Sequence, residues 1–313
     1  MKLIDVTLRD GGFTCDFNWP IEFTQEYFSV IEQLEVFCVE LGYWKQTTKS
    51  KNRFFNLNEV EVNSLMRGHS LKCCVMIDYH YCSQKLDDYP IRNESPVSLI
   101  RMTCRKDLIK DGVVFAKNLK KHSGLEVAFN LFNTANYSED ELMFSLDKVL
   151  DSDFDIVGFA DTHGSIDLYK ESSKYLKSLN NINKSNSKSC FHLHNHSGKA
   201  LSNYRFLKES NVVDYCDTSI KGLGKGAGNL KLEETLDDAP YILHEFIIKH
   251  YNSLFKRSIH PFYAITGKFG ITDNYATNAI KYNLKIKEFY DMCTSISGLS
   301  KDNYDMNIVH NYL

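Results

Sequence analysis

Short apolar, β-branched runs recur along the chain, separated by segments whose apolar positions follow a helical period. The runs are Leu3 to Thr7, Val36 to Leu41, Leu71 to Ile77, Val97 to Met102, Leu125 to Asn130, Asp155 to Ala160, Ser189 to His194 and Val212 to Asp217. Their spacing of roughly 25 to 35 residues matches one strand–helix unit. Between the first two runs, Phe23, Tyr27, Val30, Ile31 and Leu34 fall at i, i+4, i+7, i+8 and i+11, one apolar helical face. Val113, Ala116 and Leu119 do the same before the fifth run, and Leu142, Leu146 and Val149 before the sixth. Eight such units in series predict an α/β fold of the (β/α)8 TIM-barrel type. An open, doubly wound sheet uses the same alternation and stays as the alternative.

Two regions break the rhythm. Residues 178 to 189 (SLNNINKSNSKS) are polar and predict a solvated loop before the seventh strand. After residue 235 the strand pattern stops. Tyr241 to Leu254 and Tyr275 to Tyr290 have helical character, joined by an irregular stretch holding His260, Pro261, Gly267 and Gly270. The expected division is therefore a barrel domain over residues 1 to 235. A C-terminal helical extension over 236 to 313 is expected to pack on the barrel or form an oligomer interface.

Composition narrows the function class. Hydrophobic residues make up 43% and charged residues 25% of the 313, which is globular usage and not that of a disordered chain. A net charge of -3 gives no basic excess for nucleic acid or an anionic membrane. No apolar run approaches the roughly 20 residues that span a bilayer. Asp5, Arg9 and Asp10 close to the start do not fit a signal-peptide core. The 9 cysteines form no CxxC pair, so a reduced, cytoplasmic protein is expected.

In a barrel of this kind chemistry sits at the C-terminal ends of the strands. Strand one ends in Thr7-Leu8-Arg9-Asp10-Gly11-Gly12, strand six in Asp161-Thr162-His163-Gly164 and strand seven in His192-Leu193-His194-Asn195-His196. Glu40, Asp78, Arg101, Asn130 and Asp217 stand at the ends of the other strands without an assigned role. His192 and His194 lie at i and i+2 of a strand, so both imidazoles face one side. With Asp10 as carboxylate they make a set suited to a divalent metal with open positions. Packed barrel-mouth histidines are the other reading. Arg9 beside Asp10 reads either as a structural ion pair or as a stabiliser of a developing oxyanion. Gly11 and Gly12 would let backbone approach a substrate closely. Gly222, Gly224, Gly226 and Gly228 form neither GxGxxG nor a Walker loop. That run fits an anion-holding turn or a tight loop over the site.

TLRDGG at 7 to 12, HLHNHSGKALSN at 192 to 203 and GLGKGAGN at 222 to 229, in this order, resemble the DRE-TIM metallolyase superfamily. The likeness covers residues 1 to 235 and is strongest to the 4-hydroxy-2-oxovalerate aldolase-like branch, which is similar in turn to hydroxymethylglutaryl-CoA lyase. It implies metal ligation by Asp10, His192 and His194, with Asn229 as a fourth candidate. It also implies Mn2+ or Mg2+ as cofactor, enolate stabilisation by Arg9, and contact of Thr162 with a keto acid. Three departures stand out. Phe13 replaces the histidine of bacterial aromatic-degradation aldolases, no Gln or Glu follows RDG as in acyl-CoA-condensing synthases, and His196 replaces the second asparagine of HxHNN. Since Phe13 carries no proton, the strand-end histidines His196, His163 and His80 are the expected acid–base groups, His196 first and then His163. The implied activity is a class II aldolase joining or cleaving pyruvate, or a similar 2-oxo acid, and an aldehyde. An acyl-CoA lyase or Claisen-type synthase, and a non-catalytic binding barrel, are the alternatives. Small molecules are the expected partners, with self-association as a homo-oligomer such as a dimer.

Overall fold

The eight apolar runs form eight parallel strands: β1 (Lys2–Asp5), β2 (Val36–Tyr43), β3 (Cys73–Asp78), β4 (Val97–Cys104), β5 (Glu126–Leu131), β6 (Ile156–Asp161), β7 (Lys188–Leu193) and β8 (Tyr215–Thr218). This computed structural model describes residues 1–44 and 52–312, so residue 313 of the expected extension lies outside the described residues. Each strand pairs with its sequence neighbour, and β8 returns to β1 with Asp5 opposite Thr218, closing the barrel. The open doubly wound sheet is thereby ruled out.

Side-chain alternation sorts the strands into layers. Ile4, Cys38, Cys74, Leu99, Ala128, Ile156 and Cys190 point inward and form an apolar plug inside the barrel. Two residues further along, the same inward rows carry Glu40, Arg101, His192 and Asn130, so the interior turns polar toward the strand C-termini. Gly158 makes room for that layer, because a Cβ there would lie 2.0 Å from Asn130 Oδ1. The outward faces bury Val39, Leu41, Ile100, Met102, Phe159 and Phe191 beneath the helices.

The outer ring is built from α1 (Ile21–Ile31), α2 (Glu59–Met66), α3 (Ile109–Ser123), α4 (Glu139–Leu150), α5 (Leu168–Asn183), α6 (Ala200–Ser210) and α7 (Tyr241–Lys249). A capping box starts α4: Glu141 N donates to Ser138 Oγ at 3.1 Å, and Ser138 N donates to Glu141 Oε2 at 2.9 Å. No helix joins β3 to β4; the segment makes only one turn, at Leu86–Asp88. Pro90 and Pro96 in that segment leave no room for a continuous helix.

The expected loop at 178 to 189 is corrected. Residues 178 to 183 complete α5, and β7 begins at Lys188. Tyr175, Leu179 and Ile182 recur at helical spacing and are fully buried, which anchors the asparagine-rich face opposite them. The C-terminal region also differs in detail. The irregular stretch holds a helix, α8 (Phe262–Phe269), entered at Pro261 and ended by Gly270 at φ 61°. The expected helix at Tyr275 to Tyr290 is two, α9 (Asn274–Lys281) and α10 (Ile286–Ser295), broken where Asn283 adopts φ 56°. A short α11 (Met306–His310) follows.

Two apolar clusters divide this region. Leu243, Phe246, Ile247 and Phe255 join the core beneath the outer ring, where α7 packs beside α1. Phe262, Ile271, Tyr275, Phe289, Met292 and Val309 form a separate cluster among α8 to α11. Among the described residues no helix is long and apolar enough to cross a membrane. All nine cysteines are free thiols.

Candidate metal centre

At the C-terminal end of β1, Asp10 enters a network that runs around the barrel interior. Arg9 donates from Nη1 to Asp10 Oδ1 at 2.7 Å and from Nε to Glu40 Oε2 at 2.5 Å. Glu40 Oε1 accepts from Arg101 Nη1 at 3.0 Å, and Arg101 Nη2 reaches Asp217 Oδ2 at 2.7 Å. Asp217 Oδ2 lies 2.9 Å from His192 Nδ1, and His192 Nε2 lies 3.9 Å from Asp10 Oδ2. The contacts therefore close into a ring drawn from the turn after β1 and from β2, β4, β8 and β7. Buried charges persist only when matched in this way.

Three members of the site could hold a cation. One donor atom each from Asp10, His192 and His194 lies within 4.8 Å of the others. Burial works against the charge of Asp10, yet Arg9, His194, His192 and Asn229 outweigh it and bring its pKa down to about 2. Burial holds His194 well below the usual imidazole range despite Asp10 nearby, so its 3.6 Å approach to Asp10 Oδ2 is not an ion pair at neutral pH. Asp217, fixed on His192 Nδ1, leaves His192 Nε2 directed toward Asp10. Asn229 Nδ2 donates to Asp10 Oδ2 at 2.5 Å, while its Oδ1 is buried without a partner. An ionised carboxylate, two imidazoles and a free amide oxygen fit a divalent cation.

The glycine-rich loop after β8 seats this group. Asn195 N donates to Gly228 O at 2.7 Å and Leu230 N to Leu193 O at 3.0 Å, which lays the loop along the end of β7. A Cβ at Gly224 would come within 2.7 Å of Asp10 Oδ2 and 2.5 Å of Asn229 Nδ2. The glycines thus serve close packing over the site.

A cavity of about 330 Å³ opens above this cluster, and Arg9, Asp10, Thr162, His163, His192 and His194 line it. Thr162 Oγ1 accepts from Asn133 N at 2.9 Å, which fixes its hydroxyl at the rim. His163 Nε2 lies 3.1 Å from Asp302 Oδ1, and His163 Nδ1 is buried without a partner. Three of the expected residues stand elsewhere. His196 is buried outside the cavity, with Nδ1 2.8 Å from His163 O and its ring stacked on Tyr263. Gly11 packs on Leu223 and Trp19, and Gly12 on Phe17, so neither lines the cavity. Phe13 does line it, edge-on to Phe17 and Tyr43.

The residues without an assigned role from sequence are the rest of the ring, Glu40, Arg101 and Asp217, and three groups at the rim. Arg105 follows β4, while Asp273 and Asp302 arrive from the C-terminal region. Asp273 pairs with Lys225 at 2.7 Å, and Asp302 accepts from Asn133 and Asn136 as well as meeting His163. Charged residues at the ends of apolar strands were the available signal; which one meets which depends on barrel closure.

No family model matches the chain. A curated relative, 2-isopropylmalate synthase of Bacillus pumilus (strain SAFR-032), is 25% identical over 252 residues, covering 75% of this chain and 46% of that protein. The chain thus spans about half the length of that relative. Among solved structures, the N-terminal domain of a candidate aldolase from Bacteroides vulgatus matches over 100% of both chains, with TM-score 0.69 and 21% identity. The carboxyl transferase domain of Rhizobium etli pyruvate carboxylase, solved with pyruvate and biocytin, matches with TM-score 0.69 and 14% identity. That match covers 100% of this chain and 60% of the domain. At these identities the structural likeness establishes the fold.

Proposed function

We propose that the chain belongs to the DRE-TIM metallolyase superfamily, in line with its synthase relative, and that it is a divalent-metal-dependent aldolase. Its substrates are pyruvate, or a similar 2-oxo acid, and an aldehyde. The observation that carries this reading is the cluster of Asp10, His192 and His194 facing a cavity whose wall also presents Arg9.

Asp10, His192 and His194, with Asn229 Oδ1 as fourth donor, would hold Mn2+ or Mg2+. When bound, the cation supplies Lewis acidity to the keto and carboxylate oxygens of a 2-oxo acid. The protein's own groups do the remaining work. Arg9 keeps Nη2 clear of any hydrogen bond among the described residues, available for the negative charge that develops on the keto oxygen. Glu40 and Asp10 hold the guanidinium plane, so that donor is aimed before substrate arrives. Thr162 sits at the rim to contact the keto acid. For the proton of the aldol hydroxyl, His163 suits better than His196, because it faces the cavity. Asp302, 3.1 Å from its Nε2, orients the ring.

The deciding experiment is the exchange of pyruvate methyl protons in D2O, followed by NMR with added Mn2+ or Mg2+. Exchange is expected in the wild type and is expected to vanish on chelation and in His194→Ala. Exchange that survives exhaustive chelation would overturn the metal-dependent reading.

A Claisen-type condensation of an acyl-CoA is the second reading, favoured by the synthase relative. The chain lacks a Gln or Glu after RDG, which disfavours it. Release of free thiol from acetyl-CoA with a 2-oxo acid would support that reading over the aldolase. The free thiols fit a reducing compartment such as the cytoplasm, and the extension remains the candidate surface for a homo-oligomer.

A further inference from the structure

Among the described residues, four side-chain cations other than histidine line the cavity: Arg9, Arg101, Arg105 and Lys225. Three are matched by carboxylates. Arg9 holds Asp10 and Glu40, Arg101 holds Glu40 and Asp217, and Lys225 lies 2.7 Å from Asp273. Arg105 differs. Its Nε, like that of Arg101, is buried with no hydrogen-bond partner, but the carboxylate facing it, Asp107, is half exposed and 3.9 Å away. Its Nη1 donates to a neutral oxygen, Asn303 Oδ1, at 2.5 Å.

The other acids on this side of the cavity are engaged by other groups. Asp302 is held by Asn133, Asn136 and His163. Asp78 Oδ1 accepts from His80 N at 3.0 Å. A partly buried guanidinium with open donors is costly in an empty site and strong toward a planar anion.

Its position defines which part of a ligand it meets. Arg105 follows β4, three strands from β1 in one direction and three from β7 in the other. It therefore stands across the barrel mouth from Asp10, His192 and His194. Phe13, Tyr43, Tyr81 and Phe132 give the cavity aromatic walls, which suit a short carbon chain. We propose that Arg105 determines specificity for an aldehyde acceptor whose far end carries an anion, a carboxylate or a phosphate. This rests on the aldolase reading above and adds the acceptor class.

The test compares kcat/KM for pyruvate condensation with butanal, with succinic semialdehyde, which has the same length and a terminal carboxylate, and with glyceraldehyde 3-phosphate. The wild type is expected to favour an anionic aldehyde over butanal by about 10- to 100-fold, the scale of one charge-assisted pair. Whichever anionic aldehyde leads identifies carboxylate or phosphate. Arg105→Met should abolish the preference through KM, and Arg105→Lys should restore part of it. An absent preference, or one that persists in Arg105→Met, overturns the proposal. Pyruvate methyl exchange reports the half-reaction that involves no acceptor, so its absence in the wild type marks failure of the aldolase reading instead. In that event calorimetry with succinate and with inorganic phosphate decides. Binding to the wild type that is lost in Arg105→Met supports an anion site, and no binding, or equal binding to both, overturns it.

Discussion

His163 and His196 share one chemistry and occupy different surroundings. His163 faces the cavity with Asp302 on Nε2, whereas His196 is wedged between Gly226, Gly267 and the ring of Tyr263. If His163 carries the proton, His163→Asn should slow aldol turnover by about 10² or more. Pyruvate methyl exchange should suffer much less in the same variant. His196→Asn should stay within about tenfold of wild type in both assays, since it removes packing and no reacting group. Steady-state rates for the two variants decide; the reverse order would return the role to His196. The candidate trio could be picked out in the sequence because His192 and His194 stand at i and i+2 at a strand end and Asp10 follows an apolar run; the fold brings one donor atom of each within 4.8 Å of the others. The ring partners could not. Glu40 and Arg101 lie 61 residues apart, and Arg101 and Asp217 lie 116 apart, so only closure of the sheet brings them together.

Strands were the most legible elements, since a buried parallel strand is a short apolar run wherever it occurs. Helices were less so. The polar surface of α5 hid Leu179 and Ile182, and a single left-handed residue, Asn283, split what periodicity alone joined. One element end carries a consequence for pH. At the end of β6, Asp161 accepts from Ser165 N at 2.8 Å and Ile166 N at 3.2 Å, yet burial dominates and raises its pKa to about 7. The native carboxyl then keeps its proton up to about pH 7, whereas the unfolded chain releases it near 3.8. Between those values the unfolded state binds fewer protons, so this group lowers stability as pH rises. Below them both states are protonated and the penalty is absent. Asp161→Asn should therefore gain on the wild type in denaturant midpoint as pH is taken from 4 to 7. Parallel curves for the two proteins would assign the dependence elsewhere.

At the scale of the molecule, the C-terminal region supplies Asp273 and Asp302 to the barrel mouth, so the site depends on a cluster remote from the strands. Phe289 sits at its centre, fully buried and stacked on Phe262 at 4.2 Å. Phe289→Ala should weaken that cluster by about 3–5 kcal/mol. Limited proteolysis is expected to cut first after residue 260, with loss of turnover while the barrel survives. First cuts within the barrel would show that the cluster is not the weaker part. The ring of Arg9, Glu40, Arg101, Asp217 and His192 binds four strands and the turn after β1 into one electrostatic unit. Removing one member strands its neighbour's charge in the interior, a penalty of about 3–5 kcal/mol. Divergence at these positions is thereby confined to compensated exchanges: a lineage that alters position 101 must alter 40 or 217 with it, while the aromatic rim can drift one residue at a time.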